Sequence, residues 1–212
     1  MLAHIVLFLS GILCPCQNSE NRFYEMRVDH DPNGIGKFYL GREIAHVMTH
    51  EGAGWLDRKE REKEENPRKL VDALKFSPNE TVVDLGAGSG YYSFLIAPKV
   101  AKVIAVDIQP EMLAIMDRKI KNSGVKNVEL LLGKEQDPGL RPSSVDTIIM
   151  VDVYHELAFP REVTRKLVDA LKTGGRVVFV EFRLEDPEVP IKLVHKMSEK
   201  QVLREIIHIP RW

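Results

Sequence analysis

Residues 82–93 read VVDLGAGSGYYS, with an acid, Asp84, just ahead of three glycines, Gly86, Gly88 and Gly90, spaced two apart. Without Cβ atoms such residues take backbone angles closed to others and let a ligand lie against the main chain. A dinucleotide loop requires G-x-G-x-x-G, and Tyr91 stands where its third glycine would be. A P-loop requires G-K-[ST], and none follows. Asp84 would repel a pyrophosphate and attract an ammonium or sulfonium. Some 17 to 21 residues beyond the glycines the apolar run VIAVD ends in Asp107. A carboxylate there can accept both hydroxyls of a ribose, and Ile108 beside it can press on a purine face. A nucleoside that also carries positive charge meets both demands, and S-adenosylmethionine is such a compound.

A loop of this kind needs a strand to deliver it and a helix to follow. The chain supplies both repeatedly: TVVDL, helix-like SFLIAPKV, VIAVD, helix-like PEMLAIMDRKIKN closed by Gly124, VELLL, DTIIMV, helix-like PREVTRKLVDALK closed by Gly174 and Gly175, and RVVFVEF. Strands alternating with helices imply crossovers, so the expected class is α/β: a Rossmann-like, doubly wound, mostly parallel sheet with helices on both faces. The runs are almost unbroken in apolarity, as strands buried on both faces should be. Upstream, Asn66 and Pro67 read as an N-cap and first helical position ahead of the stripe Leu70, Val71, Leu74. Residues 57–68 alternate in charge, a solvated helical face. Ile44, Val47 and Met48 recur at helical spacing after a polar, turn-rich stretch over 17–40 that reads as a linker. Ser198 offers a capping box for a last helix. The expected division is a signal-like or anchor apolar segment at 1–20, a linker and N-terminal helical lid at 21–65, and a cofactor-binding domain at 66–212.

D-L-G-A-G-S-G, A-V-D-I, S-V-D-T-I-I-M-V-D-V-Y-H-E and L-K-T-G-G-R, in this order and spacing, resemble the successive motifs of class I S-adenosylmethionine-dependent methyltransferases over roughly residues 67–207. G-R-E-I-A-H-V-M, D-V-Y-H-E, E-D-P-E-V-P-I-K and H-K-M-S resemble a bacterial group described only as methyltransferases, which brings no substrate with it. The resemblance implies that Asp84 and the loop of Gly86, Ala87, Gly88 and Gly90 hold the methionine end of the cofactor, and that Asp107 and Ile108 hold the nucleoside. Glu135 or Asp137 would take the adenine amino group, because Lys134 occupies the usual place of an acid. Asp152, Tyr154 and His155 would face the transferable methyl group: His155 as a base where the acceptor keeps a proton, Tyr154 positioning the acceptor or screening the sulfonium. The pattern departs at its end. Full-length relatives add a sixth and a seventh strand, whereas this sequence stops at I-I-H-I-P-R-W, so a C-terminally shortened sheet is expected, with strand 176–182 at an open edge that a second copy would cover.

The composition sets limits. Thirty Lys and Arg against 31 Asp and Glu give no basis for gripping nucleic acid, and a small-molecule acceptor is favoured. The two cysteines, Cys14 and Cys16, both precede the expected domain, so neither a disulfide framework nor a thiolate metal site is expected in it. His46 and His50 stand four apart, but no H-E-x-x-H motif accompanies them and no metal is expected. The apolar run Ile5–Leu13 is too short to span a bilayer and has the length of a signal-peptide core, although no Lys or Arg precedes it. Residues 1–16 would make the protein exported or membrane-anchored if they act as a signal, and cytoplasmic otherwise. Two other functions compete: an S-adenosylmethionine-binding domain without turnover, and a nicotinamide-dependent oxidoreductase, which Tyr91 and Asp84 disfavour.

Overall fold

The computed structural model describes residues 23–209. The signal-like segment and both cysteines lie outside the described residues, among which no helix is long and apolar enough to cross a membrane.

Five parallel strands form the central sheet: β4 (Thr81–Leu85), β5 (Lys102–Asp107), β6 (Val128–Leu132), β7 (Val145–Val151) and β8 (Leu171–Val180), in the spatial order β6-β5-β4-β7-β8. The winding reverses between β4 and β7, so the crevice for a ligand opens past the carboxyl ends of those two neighbours. Alternation along the strands builds two cores. Val83, Leu85, Ile148 and Met150 face Val163, Leu167 and Ala170 of α6 (Pro160–Ala170). Val82, Val103 and Ile149 face Val71 of α3 (Pro67–Ala73) and Tyr92 and Ile96 of α4 (Tyr91–Ile96). Both faces are covered, which is why the strands carry no polar alternation. Each such aliphatic side chain removed from water contributes about 1.5–3 kcal/mol. Helix α5 (Pro110–Ser123) ends at Gly124 in a left-handed conformation, φ 70°, as the sequence predicts.

Three expectations are corrected. Residues 24–45 form neither a linker nor a helix but an antiparallel sheet of β1 (Tyr24–Met26), β2 (Gly34–Tyr39) and β3 (Arg42–Ala45). Leu40 and Gly41, at φ 49° and 91°, make the two-residue hairpin turn between β2 and β3. Tyr39, Ile44 and Ala45 are fully buried, so the spacing of Ile44 with Val47 and Met48 only imitates a helical stripe. Helical structure begins later, at α1 (Ala53–Leu56) and α2 (Arg61–Glu65). Secondly, Asn66 does not cap α3 with its side chain; at φ 50° it closes α2, its N–H donating to the Glu62 carbonyl, while Pro67 opens α3 as expected. Thirdly, α6 stops at Ala170, and Leu171 already pairs with Val145. Gly174, at φ 81°, lies where the β7–β8 register shifts.

After β8, two short strands, β9 (Phe182–Arg183) and β10 (Lys196–Met197), pair in parallel before α7 (Glu199–Ile206). Ser198 caps α7 by accepting from the Gln201 N–H at 3.0 Å. Among the described residues β8 pairs only with β7 and forms the edge of the sheet.

Candidate functional site

The loop after β4 has all three glycines in the left-handed region, Gly86 at φ 67°, Gly88 at 55° and Gly90 at 84°. Side chains are strained there, and each glycine is also crowded. A Cβ on Gly86 would stand 2.6 Å from Val153, on Gly88 2.7 Å from Leu56, and on Gly90 2.8 Å from Met116. The Gly86 and Ala87 N–H groups both donate to the Val106 carbonyl, at 2.8 and 3.0 Å, tying the loop to β5. Asp107 sits between the loop and the next helix: one oxygen accepts from the Gly88 N–H at 2.8 Å, the other from the Gln109 N–H at 2.9 Å. Burial pushes its pKa up against those hydrogen bonds. Ile108 beside it is exposed.

Asp84 points into the protein rather than into the crevice. It is buried, accepts from the Ser93 hydroxyl at 2.6 Å, and is pushed up to about pKa 6 by burial, with Asp107 adding to the shift. Glu135 is exposed in the turn that Lys134 and Asp137 close after β6. The Asp137 carboxylate is engaged by the Gly139 N–H at 2.8 Å.

Across the crevice, β7 is followed by Asp152, held at φ 55°, an uncommon conformation for a residue with a side chain. Burial raises its pKa to about 8, with the charges of Glu181 and Glu65 adding to the effect. Residues 154–156 form a 3₁₀ turn. Tyr154 does not reach the crevice: its ring is fully buried, edge-on to Phe179 at 5.0 Å, so its expected role toward the acceptor gives way to a packing one. His155 is also buried. Its Nδ1 meets Glu181 Oε2 at 2.5 Å and its Nε2 meets His195 Nδ1 at 3.1 Å. Burial alone would lower its pKa, but the Glu181 hydrogen bond and charge, with Glu156, outweigh it and the net shift is upward. Glu156 is raised to about 7 by burial. His195 is lowered by burial and by its neighbour His155.

Sequence reading missed Glu181, Glu156 and His195 as companions of His155, and missed the brace behind them. Arg42 makes a bidentate pair with the fully buried Glu205, at 2.8 and 3.0 Å, and donates to the His155 carbonyl at 3.1 Å. Lys37 donates to the Ala158 carbonyl at 2.6 Å and lies 3.4 Å from the centre of the Phe159 ring. The G-R-E-I-A run carried that signal, but only the fold shows which acid Arg42 meets. His46 and His50 are both exposed and do not join the cluster. The segment from Met48 to Asp57 spans the crevice rim: the Gln109 amide bonds the Met48 carbonyl and the His50 N–H, and Asp57 accepts from Ser89 and Lys119.

A parallel sheet in this strand order, a left-handed glycine loop on its first strand and a carboxylate at the tip of the second place the chain in the Rossmann-like class that includes the class I methyltransferase fold. Its cofactor is S-adenosylmethionine. The residues present fit that group: a left-handed glycine loop that carries no side chain of its own at three positions, Asp107 with lone pairs to spare, and an exposed apolar side chain at Ile108. Residues 76–208 match the family described as a methyltransferase domain, and the chain belongs to that family. The Pyrococcus horikoshii protein-L-isoaspartate O-methyltransferase is 31% identical over 110 residues, 51% of this chain and 47% of the relative. Aklanonic acid methyltransferase of a Streptomyces species is 30% identical over 117 residues, 53% of this chain and 52% of the relative. The chain therefore spans about half the length of the curated relatives it matches. A solved S-adenosylmethionine-dependent methyltransferase of Aquifex aeolicus superposes with a TM-score of 0.69 at 27% identity, over 76% of this chain and 87% of the other.

Proposed function

We propose that the protein transfers a methyl group from S-adenosylmethionine to a small molecule that enters beside Asp152. The observation that carries this reading is the contact between the two loops: the Cβ position of Gly86 lies 2.6 Å from Val153, so the end of β7 packs directly against the donor loop. The cofactor supplies an electrophilic methyl on a sulfonium. Gly86, Ala87, Gly88 and Gly90 hold its methionine end on bare main chain, Asp107 takes the ribose hydroxyls, and Ile108 and Glu135 border the adenine. Asp84 acts from behind the loop, through its charge and its hold on Ser93.

Methyl transfer is an in-line displacement, and orientation of the two partners can supply roughly 7–11 kcal/mol of the barrier. The protein's main task is then to align the acceptor and exclude water. Where the acceptor keeps a proton, Asp152 receives it. Burial holds its pKa up at about 8 in the free protein, and a positive charge nearby favours its ionised form. His155 is a positioning residue whose two nitrogens are taken up by Glu181 and His195.

Calorimetry with S-adenosylmethionine, S-adenosylhomocysteine and NAD, followed by a search of small-molecule fractions for release of S-adenosylhomocysteine, tests this reading. Binding of the first two, with turnover lost in Asp152→Asn at retained cofactor affinity, is expected. Binding of NAD alone refutes it, and cofactor binding without turnover on any fraction turns it into a silent binding domain.

A further inference from the structure

His155, Glu156 and His195 come together from two loops, 40 positions separating the histidines. The contact His155 Nε2 to His195 Nδ1 is 3.1 Å, His155 Nε2 to Glu156 Oε1 is 3.8 Å, and His195 Nδ1 to Glu156 Oε1 is 3.9 Å. A triangle with those sides has a circumscribed circle of radius about 2.1 Å, a metal–nitrogen bond length, with its centre in the plane of the three atoms; a tetrahedral ion requires the Glu156 oxygen to close on the two histidines by about half an ångström. The ring geometry agrees. Two imidazoles on one tetrahedral ion have their centres about 5.2 Å apart, and these two lie 5.1 Å apart with an interplanar angle of 75°.

We infer that this cluster is a binding site for a single divalent transition-metal ion of the zinc class, held by His155 Nε2, His195 Nδ1 and Glu156 Oε1. Glu181 supplies the outer support that metal-bound histidines need: its contact with His155 Nδ1 at 2.5 Å makes Nε2, which now faces His195 Nδ1, the ligating nitrogen once an ion replaces that contact. Glu156 is steadied in turn by the Met48 N–H at 3.3 Å. Two nitrogens and one oxygen select a borderline ion over calcium or magnesium, which take oxygen ligands. Three protein ligands leave a fourth position open, the arrangement of a reactive rather than a purely structural ion. His155 and Glu156 are shielded while His195 is a quarter exposed, which gives the ion a way in.

The Met48 carbonyl, bonded to the Gln109 amide next to Asp107, links the cluster to the donor crevice. The site itself does not depend on the methyl-transfer reading.

The test uses the untagged full chain with Cys14→Ser and Cys16→Ser, which removes its two thiols, titrated with zinc by calorimetry and with cobalt by visible absorption. One equivalent of zinc and a cobalt spectrum typical of low coordination number are expected. His195→Ala, at a partly exposed position, should keep the unfolding midpoint of the metal-free protein and weaken zinc at least 10-fold. Glu181→Gln should weaken it roughly 10- to 100-fold, the effect of losing an outer-shell partner. His46→Ala with His50→Ala should leave the binding unchanged. Failure of the folded chain to bind zinc stoichiometrically, or equal affinity in His195→Ala and the parent, overturns the proposal.

Discussion

Replacing Asp84 with Asn isolates the energetic cost of an acid buried behind the donor loop. The carboxyl is buried, bonded to Ser93 at 2.6 Å, and raised from its ordinary value of 3.8 to about 6. A raised acid keeps its proton in the folded protein at pH values where the unfolded chain has released it. Folding is therefore unpenalised below the unfolded value, loses stability as pH climbs from about 4 to about 6, and carries the full cost above that. A rise of this size amounts to about 3 kcal/mol in total, of which about 2 kcal/mol accrues between about pH 4.5 and 7.5. Asn is neutral throughout and its carbonyl can still accept from Ser93, so its own fit adds only a pH-independent offset. Asp152 and Glu156, also raised, are common to both proteins and cancel in the difference. Urea unfolding of wild type and Asp84→Asn without cofactor, at several pH values in that range, should show the difference moving by about 2 kcal/mol in the variant's favour as pH rises. Two stability curves that run parallel would refute an ionised, desolvated Asp84.

Asp107→Ala removes the acceptor for two backbone N–H groups as well as the proposed ribose contact, and should weaken S-adenosylmethionine by about 2–3 kcal/mol, read by calorimetry; unchanged affinity would remove the ribose from this position. Arg42→Met strands Glu205, which is fully buried, and should cost about 3–5 kcal/mol in denaturant unfolding, with Arg42→Met/Glu205→Leu recovering most of it. A double variant no more stable than the single one would show that the pair matters through shape and not through charge.

The α/β core was legible because its strands are buried on both faces and its helices on one, so apolar runs and helical stripes stand out without any knowledge of neighbours. The left-handed glycine loop was legible for the same reason, being a local feature: the glycine spacing and both strand-end acids fall within the single stretch from Asp84 to Asp107. The N-terminal sheet was not. Its β2–β3 turn is Leu-Gly rather than the Asn-Gly that marks such hairpins, and β2 puts glycines at its buried positions 34 and 36, so no apolar alternation shows in the sequence. Tyr154 misled because a residue beside a catalytic loop can point either way, and only packing against Phe179 decides. Glu181 and His195 were missed because their meeting with His155 is a product of tertiary structure, 26 and 40 residues along the chain.

The division between legible and hidden parts bears on what sets the acceptor. The residues proposed to hold the donor lie on β4, β5 and their loops and, for Glu135, just after β6, all inside residues 76–208, the stretch shared with the family. The acceptor side is braced from outside that stretch: Arg42 fixes the His155 carbonyl, Lys37 the Ala158 carbonyl, Tyr24 bonds Glu162 at 2.5 Å, and the Met48 N–H holds Glu156. A loop held by charged and hydrogen-bonded partners from another segment keeps its shape only while that segment stays docked, and the Arg42–Glu205 pair is the most deeply buried of the fastenings. Changes on β1–β3 should consequently alter which acceptor is used while leaving cofactor affinity nearly intact, and changes in Gly86–Gly90 should do the reverse. Tyr24→Phe, which removes one hydroxyl at a strand remote from the glycine loop, discriminates: it should shift turnover on the identified acceptor without moving the S-adenosylmethionine dissociation constant, and a parallel loss of both would show that the two halves of the crevice are not separable.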